Sequence, residues 1–320
     1  MSQKPDEVPH LILLYLSVLK MAITENESLM RLMTKIHDER GMDFTQYKEP
    51  SILRRIESRL RKYNVSSYDE YVSVIDKNPD EYDQLISALT INVTEFFRNL
   101  ETFDAIDHIV IPRIIAAKQK NNHKIIRVWS CGCSSGDEPY SLAMLFLEKL
   151  GVARDRFLLT IIGSDIDKEA LEEARGMVYS KDRLREVSKH LLDKYFEVVD
   201  DNHFRLKSVI KTLVRFRHHD VVKSTPFIHC DLILCRNLLI YFNKELQEET
   251  ILKFYECLNP GGFLVLGMVE SLTGTSSNVF ENVDNALRIY RRPQEADLQF
   301  DKKGLLSQDE IDKIVNEMLG

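Results

Sequence analysis

The pattern of apolar and polar positions divides the chain into a helical part and an alternating part. Residues 26–100 place apolar side chains at helical spacing with no β-rich run between them, which predicts a small all-α domain. From about residue 124 onwards, short β-type runs alternate with helical patterns. Such alternation is typical of the α/β class, in which helices cover a mostly parallel, doubly wound sheet.

The alternating part contains several runs that we expect to be core strands. They cover residues 124–130, 157–164, 228–235 and 262–267. Residues 193–212 break the alternation with short strand-like runs, so we expect a small antiparallel insertion there, after which 213–218 rejoins the main sheet. The expected domains are an N-terminal extension 1–25, a helical domain 26–100, an α/β domain 101–293 and a tail 294–320.

The segment 10–23 is apolar enough to need a membrane check. Its apolar run is far shorter than the roughly 20 residues that cross a bilayer. Asp6 and Glu7 precede it where a signal peptide has basic residues. We therefore expect an amphipathic helix and no membrane insertion, with a weak secretory signal as the alternative.

The segment 305–319 has the features of one short amphipathic helix that follows a polar linker. Ser307 and Glu310 form an S-x-x-E capping box, and Leu306 and Ile311 are placed as a hydrophobic staple. One face of this helix is apolar and consists of Ile311, Ile314, Val315, Met318 and Leu319. We therefore expect the linker to present this helix.

The composition is that of an ordinary globular protein, with 44% hydrophobic and 29% charged residues. A formal net charge of −7 argues against a general nucleic-acid binder. Three of the five cysteines lie in apolar surroundings, which favours reduced thiols. We expect a cytoplasmic protein that binds no nucleic acid.

The loop after the first expected strand, VWSCGCSSGDEPYS at 128–141, allows two interpretations. Cys131 and Cys133 form a C-x-C pair, but zinc needs three or four ligands and no second such pair exists. His218 and His219 are adjacent and would lie on opposite faces of a strand. We therefore expect no metal site, and we interpret the cysteines as small residues that fill a tight turn.

Gly132 and Gly136 of this loop favour a nucleoside site. Glycines let the backbone approach a ligand, and ligands of open α/β sheets bind beyond the carboxyl ends of the strands. Asp165, at the end of the second expected strand, is placed to accept hydrogen bonds from ribose hydroxyls. The pattern G-x-x-x-G is not that of a dinucleotide site, so S-adenosylmethionine (SAM) fits better. A glycine turn followed by a helix-capping aspartate is the alternative.

Five motifs, in the same order and with similar spacings, resemble those of the CheR-type chemotaxis receptor methyltransferases. They are LTINVTEFFR at 89–98, VWSCGCSSGDEPYSLA at 128–143, SDID at 164–167, LCRNLLIYF at 234–242 and LNPGGF at 258–263. The similarity covers residues 26–292. It implies a Rossmann-like SAM-dependent methyltransferase that methylates glutamate carboxylates of the receptor's helical bundle and releases S-adenosylhomocysteine.

The resemblance also implies which residues hold SAM and which take part in methyl transfer. The cofactor site, at the domain junction, would contain Asn92, Thr94, Arg98, Glu138, Asp165, Asp220, Val221, Asn237 and Leu238, together with Gly132. Arg98 and Tyr241 are the candidate catalytic residues, which would hold and hydrogen-bond the substrate carboxylate. A surface arginine and a packed core tyrosine are the alternatives. Residues 196–206 are shorter than the loop with which relatives bind a receptor peptide, so we do not expect such tethering.

The run 51–62 is a strongly basic helical segment. Its cations are Arg54, Arg55, Arg59, Arg61 and Lys62. From the residues alone this is a solvated face, whereas the resemblance implies docking on an acidic receptor bundle. The same resemblance places the protein at membrane receptor arrays.

The tail resembles a second family. LLSQDEIDKIV at 305–315 is similar to the N-terminal segment of the flagellar switch protein FliM, which binds the response regulator CheY. The similarity implies a CheY-like receiver domain as a partner of Leu306 and the apolar face, although Lys313 departs from the small residue often found there. A helix folded back onto the protein's own surface is the alternative. For the whole chain, two other functions stay open: a methyltransferase for another protein or a small molecule, and a scaffolding adaptor.

Overall fold

The computed structural model describes residues 26–39, 44, 49–90 and 93–294. The chain forms two compact units that divide between Leu89 and Thr90. This boundary lies earlier than the expected residue 100, because Phe96 and Phe97 are buried in the core of the second unit. No helix in the described ranges is long and apolar enough to cross a membrane.

The described residues of the first unit form helices only. These are α1 at 26–39, α2 Glu49–Lys62, α3 Tyr68–Lys77 and α4 Asp80–Leu89. The side chains that recur at helical spacing are the buried ones, namely Leu32, Ile36, Ile52, Ile56, Ile75 and Leu85. Ser67 caps α3 by accepting a hydrogen bond from the backbone nitrogen of Glu70 at 3.2 Å. The predicted all-α domain is confirmed.

The second unit is built on two sheets. Its strands are β1 Ile125–Cys131, β2 Leu158–Asp165, β3 Val178–Ser180, β4 Phe196–Val198, β5 His203–Leu206, β6 Val214–His218, β7 Cys230–Cys235, β8 Leu258–Leu266, β9 Glu281–Asp284 and β10 Ile289–Arg291. The main sheet has the order β6-β2-β1-β7-β8-β10-β9, and its first five strands are parallel. The predicted Rossmann-like α/β fold is confirmed.

Helices cover the main sheet and connect its strands. They are α5 Leu100–Ala105, α6 Ile111–Lys120, α7 Asp137–Leu150, α8 Lys168–Gly176, α9 Lys189–Tyr195, α10 Ser208–Lys211, α11 Lys244–Cys257 and α12 Ser276–Val279. All residues of the central strand β7 are buried, as expected for a parallel strand covered on both faces. The main core therefore lies between this sheet and its helices.

The small antiparallel sheet is larger than the predicted insertion. Its order is β3-β5-β4, and β3 begins at Val178, well before the expected range 193–212. A strand of three residues is too short to show alternation, so the sequence pattern does not reveal β3. Strand β6 pairs with β2 in the main sheet, as predicted for 213–218.

The last part of the main sheet also differs from the prediction. Strand β8 begins at Leu258 instead of residue 262, and its register with β7 shifts between Cys230 and Leu232. The short antiparallel strands β9 and β10 were not predicted, because their few residues carry no clear period-2 pattern.

Candidate active site

The carboxyl ends of four parallel strands meet at one edge of the main sheet. Cys131 at the end of β1 is in register with Ser164 of β2 and with Cys235 of β7. Asp165 is in register with His218 at the end of β6. The loops that follow these strands therefore lie side by side, at the edge where open α/β sheets bind their ligands.

Gly132 is required by the local backbone and by a close neighbour. Its φ is +71°, and its nitrogen donates a hydrogen bond to the Ser164 carbonyl oxygen at 2.8 Å. A Cβ added at this position would lie 3.1 Å from Leu238 Cδ2. The loop after β1 thus packs directly against the segment after β7, with its backbone exposed to the pocket between them.

Gly136 has a packing role that the sequence did not predict. Its φ is +88°, but an added Cβ would lie 2.8 Å from the Ala174 Cβ and 2.9 Å from Phe216 Cζ. Gly136 therefore allows α7 to pack closely on α8 and β6, which is a packing reason for glycine at this position in addition to the predicted approach to a ligand. Helix α7 begins at the next residue, Asp137.

The cysteines of the loop are buried thiols. Cys131 and Cys133 are each 2% exposed and unpaired. Burial raises the pKa of Cys133 well above its ordinary value, so the thiol is neutral. Among the described residues, no group of three histidine, cysteine or acidic side chains is arranged to hold a metal ion.

Glu138 and the buried Arg236 form an ion pair beside this loop. The Glu138 carboxylate accepts from Ser130 Oγ at 2.8 Å and from Arg236 Nη1 at 3.1 Å. Arg236 Nη2 donates to the Arg98 carbonyl oxygen and to Asn99 Oδ1, both at 2.7 Å. One guanidinium therefore connects the end of β7, the start of α7 and the segment before α5.

Arg236 was not predicted as a site residue. It is 2% exposed along its side chain, and an arginine directly after an apolar strand is the signal that could have indicated it. The guanidinium carbon also lies 5.4 Å from the centre of the Phe103 ring, within cation–π distance.

A small pocket around this ion pair brings together half of the ten predicted cofactor residues. Its lining contains Thr94, Arg98, Gly132, Glu138 and Asn237, along with Val93, Glu95, Phe103, Cys133, Ser134 and Arg236. Its volume is about 40 Å³. A groove of about 780 Å³ lies elsewhere on the unit, but it does not contain any of the predicted site residues. The convergence of charged groups, not size, makes the small pocket the candidate site.

Asp165 lies next to the same loop but does not line the small pocket. Its Oδ2 accepts from the Ser134 nitrogen at 2.7 Å, and its Oδ1 accepts from the Asp167 nitrogen at 2.9 Å. Burial raises the pKa of this carboxyl group to about 6. Each carboxylate oxygen can accept a second hydrogen bond, so the group retains capacity for a ribose diol.

Asp220 and Val221 follow β6 beside Asp165. The backbone nitrogen of His219 donates to the Asp165 carbonyl oxygen at 2.9 Å, which fixes the two strand ends together. Asp220 Oδ1 accepts from the Val222 nitrogen at 2.8 Å and so shapes the turn. Both predicted residues are half-buried at the correct edge of the sheet, outside the small pocket.

A buried glutamate that was not predicted holds the segment after β7. Glu270 Oε2 accepts from the nitrogens of Asn237 at 3.0 Å and Gly267 at 2.7 Å, and its Oε1 accepts from Ile240 at 3.2 Å. Burial raises the pKa of Glu270. Asn237, with a φ of +61°, is thereby fixed at the pocket. Tyr241 follows in a half-buried 3-10 turn outside it.

The structure therefore brings only some of the predicted cofactor residues together in one pocket. Five of them line one pocket, four others flank it, and Asn92 lies outside the described residues. All the described members belong to the second unit.

Two family matches cover the two units. Residues 27–90 match the family described as CheR methyltransferase, all-alpha domain, and residues 92–289 match its SAM binding domain. The chain belongs to the CheR methyltransferase family. It is a SAM-dependent methyltransferase, and SAM is its cofactor.

Curated relatives are similar over most of their length. Chemotaxis protein methyltransferases from Borreliella burgdorferi and Listeria monocytogenes are 31% and 33% identical to this chain, over 81% and 77% of it and 93% and 90% of their own length. One from Salmonella typhimurium is 31% identical over 76% of this chain and 83% of its own. This CheR protein therefore performs SAM-dependent methylation in chemotaxis.

The residues of the CheR site fit the cofactor chemically. Gly132 provides a backbone cradle that a Cβ would narrow, Glu138 places a carboxylate at the pocket, and Asp165 places a second one beside it. SAM carries a ribose diol, a sulfonium cation and an ammonium cation; a carboxylate accepts hydrogen bonds from hydroxyl groups and attracts cations. When bound, SAM supplies an electrophilic methyl group.

The basic face of the CheR all-α domain is less exposed than predicted. Arg59 donates to the buried Glu81 carboxylate, with Nε to Oε1 at 2.8 Å, and Arg55 Nη1 donates to the Leu89 carbonyl oxygen. Burial opposes ionisation of Glu81, but hydrogen bonds from Arg59, Tyr63 and Tyr71 outweigh it and lower its pKa. Arg59 and Arg55 thus hold α2 against α4.

The remaining cations of α2 are exposed. Arg54, Arg61 and Lys62 all point to solvent. The segments 10–23 and 305–319, and with them Leu306 and the five residues of the predicted apolar face, lie outside the described residues.

Proposed function

We propose that this chain transfers the methyl group of SAM to side-chain carboxylates of chemoreceptor glutamates, forming methyl esters that adapt the sensory response. The observation that carries the proposal is the cluster of Glu138, Arg236 and Arg98 at the carboxyl edge of a fold whose two units both match CheR domains. The relatives named chemotaxis protein methyltransferases support this choice of substrate.

The reaction needs alignment more than proton transfer. A glutamate carboxylate is already ionised at pH 7. Bound SAM would supply its methyl group to one carboxylate oxygen, and the electron pair of the broken carbon–sulfur bond would stay on sulfur in S-adenosylhomocysteine. No proton is gained or lost, so the site contributes by desolvating the carboxylate and holding it in line.

Arg98 is the residue that we assign to the incoming carboxylate. It lines the pocket and is half-buried, and its Nη1 donates to the Val93 carbonyl oxygen at 2.9 Å. The other guanidinium nitrogens can donate to a carboxylate in the forked geometry that arginine favours. Tyr241, in the turn after Asn237, is the proposed second hydrogen-bond donor to the substrate.

Docking is assigned to the exposed cations of α2. Arg54, Arg61 and Lys62 present their positive charge to solvent. Arg61 contacts the exposed Glu57, at 3.9 Å, and Lys62 lies over the neighbouring Tyr63 ring, whereas Arg55 and Arg59 hold α2 against α4. An acidic, glutamate-rich receptor bundle is complementary to this charge. Such docking recruits the enzyme to receptor arrays.

The substrate class can be tested by competition. The full chain, labelled SAM and an excess of free glutamate or an unrelated acidic protein are incubated with a receptor cytoplasmic fragment. We expect label in the receptor fragment only. Equal labelling of free glutamate or of the unrelated protein would favour the alternative of a broader methyltransferase, and no labelling at all would favour an adaptor.

The tail supports a second, separate proposal: the helix 305–319 binds a CheY-like receiver domain. The similarity to FliM, the capping box at Ser307 and the continuous apolar face carry it. In the full chain, Ile314→Asp should abolish calorimetric binding to a phosphorylated receiver, while Asn316→Asp on the polar face should not. Equal binding by both variants would disprove recruitment through this face.

A further inference from the structure

We propose that a groove at the amino ends of the parallel strands binds residues 295–301 of this same chain. The groove, of about 780 Å³, is lined by Ile125 and Leu158, the first residues of β1 and β2, and by Asp231 near the start of β7. It therefore lies at the sheet edge opposite to the small pocket around Glu138 and Arg236, which we call the methyl-transfer pocket. Its volume falls in the range of protein binding sites.

The groove has an apolar surface that the described residues leave uncovered. Ile125 and Leu158 are 55% and 67% exposed, and they are paired in register at the start of neighbouring strands. Large apolar side chains that are adjacent, exposed and in a concave surface mark an interaction site.

The chain itself arrives at this groove. The Gly261 nitrogen donates to the Arg292 carbonyl oxygen at 2.9 Å, and the Arg292 nitrogen donates to the Gly262 carbonyl oxygen at 2.8 Å. Gln294 then packs over Gly261, where an added Cβ would lie 2.8 Å from Gln294 Nε2. Gln294 is part of the groove lining, so residue 295 starts at its edge.

The distances along the sheet match the length of the segment. From β8, where Gln294 sits, the groove passes the starts of β7 and β1 to reach β2. Three strand spacings amount to about 14 Å. Six residues in extended conformation span up to roughly 20 Å. Leu298 can therefore reach Ile125, and Phe300 can reach Leu158.

The sequence of the segment fits the groove in pattern and in charge. In EADLQFD, at 295–301, Ala296, Leu298 and Phe300 alternate with polar residues, which gives an extended chain one apolar face. The other positions include three acidic residues. Among the charged residues of the groove lining, Lys118, Lys124 and Arg127 outnumber the single acid Asp231, which pairs with Lys118 at 2.7 Å, so Lys124 and Arg127 give the groove its excess positive charge. Opposite charges thus meet along the groove.

The proposed contact would anchor the linker 295–301 to the α/β unit. With 295–301 in the groove, the segment 305–319, predicted to be helical, would start near β2 and remain available to a partner. The groove lies far along the strands from the methyl-transfer pocket, so the proposal stands independently of the substrate proposed above.

Disulfide trapping in the full chain tests the proposal. Leu158→Cys with Phe300→Cys should form an intramolecular disulfide under mild oxidation, detected by mass spectrometry after digestion. The pair Leu158→Cys with Gln299→Cys is the matched control, since Gln299 faces away, and should react about 10-fold more slowly. The native cysteines at 131, 133, 230, 235 and 257 are all buried and do not compete. Equal rates for the two pairs, no disulfide, or a disulfide between two chains would each overturn the proposal.

Hydrogen exchange gives a second readout that needs no introduced cysteine. Phe300→Asp should speed exchange of backbone amides in 123–127 by several-fold, while Gln299→Asp should leave it unchanged. If Ile314→Asp speeds exchange there and Phe300→Asp does not, the helix and not the linker fills the groove, and the assignment to 295–301 is wrong.

Discussion

At the scale of single residues, burial decides which groups of the site can change charge. Burial raises the pKa of Asp165 to about 6, so this carboxylate titrates close to physiological pH. The same effect raises the pKa of Cys133 and keeps that thiol neutral. If Asp165 holds the ribose as predicted, its ionisation should alter cofactor affinity, whereas the neutral cysteines of the neighbouring loop contribute packing.

Asp165 should make SAM affinity depend on pH. Below about pH 6 the carboxyl group is protonated and becomes a poorer acceptor for the ribose hydroxyls, so we expect the Kd of the wild-type protein to rise from pH 7 to pH 5. Asp165→Asn should weaken binding about 10- to 100-fold at pH 8, as expected for loss of charge-assisted hydrogen bonds, and remove the pH dependence. Calorimetric titrations at several pH values measure both. A wild-type Kd that is constant from pH 5 to 8 would contradict this role.

Substitutions of the glycine and of the cysteines in the loop after β1 should have different effects on SAM affinity. Gly132→Ala and Gly132→Val force a side chain into a backbone with φ of +71° and towards Leu238, so binding should fall at least about 10-fold and be lost in the valine variant. Cys131→Ala with Cys133→Ala should cost roughly 1–2 kcal/mol of stability but leave the Kd within about 3-fold. Circular dichroism confirms folding of each variant. Tight SAM binding by Gly132→Val, or loss of SAM binding in the double cysteine variant, would contradict the assignment of ligand binding to Gly132 and of packing to the cysteines.

At the scale of elements, two unpredicted side chains hold the site together. Arg236 connects β7 to α7 and to the segment before α5. Glu270 accepts from two backbone nitrogens of the turn after β7 and from the Gly267 nitrogen directly after β8. The Glu138–Arg236 contact joins residues 98 positions apart, and no local pattern can reveal such a pair. By contrast, the loops at Gly132 and Asp165 follow predictable strands and could be placed at one edge from sequence.

Arg236 should act through its geometry as well as its charge. Arg236→Lys keeps a cation beside Glu138 but loses the forked contacts to Arg98 and Asn99, so we expect near-normal stability and about 10-fold weaker SAM binding. Arg236→Met leaves the Glu138 carboxylate without its cation and should also lower stability by about 3 kcal/mol. Thermal unfolding and calorimetry distinguish these effects. If Arg236→Lys binds SAM as tightly as wild type, a positive charge at this position is sufficient for binding, and the proposed role of the forked geometry is wrong.

Substitutions of the cations of α2 should affect either receptor docking or stability, according to the position. Arg54→Glu, Arg61→Glu and Lys62→Glu together reverse an exposed patch and should reduce receptor methylation at least about 10-fold. Because two of these residues lie in the last turn of α2, we expect a stability loss of about 1 kcal/mol. Arg59→Glu places a second carboxylate against buried Glu81 and should cost about 3 kcal/mol of stability. Initial rates of receptor methylation at two salt concentrations measure docking, and thermal unfolding measures stability. Unchanged receptor methylation by the triple variant would rule out docking by this patch.

At the scale of the whole molecule, periodicity and motifs predict the architecture but not its internal boundaries. The all-α domain and the parallel sheet follow from apolar spacing, because helices and strands bury one face with a fixed period. The position of the boundary at Leu89 depends on where Phe96 and Phe97 pack, which is a tertiary contact. Likewise, helical periodicity places Arg59 on the polar face of α2, but its partner Glu81 lies on another helix.

The most direct test of the central claim is the chemical position of the transferred methyl group. The full chain is incubated with methyl-labelled SAM and a receptor cytoplasmic fragment, and the product is treated with base and mapped by mass spectrometry. Our account predicts label on glutamate side chains, released by base as methanol, and absent with the Gly132→Val variant. Base-stable label on another type of side chain would contradict it.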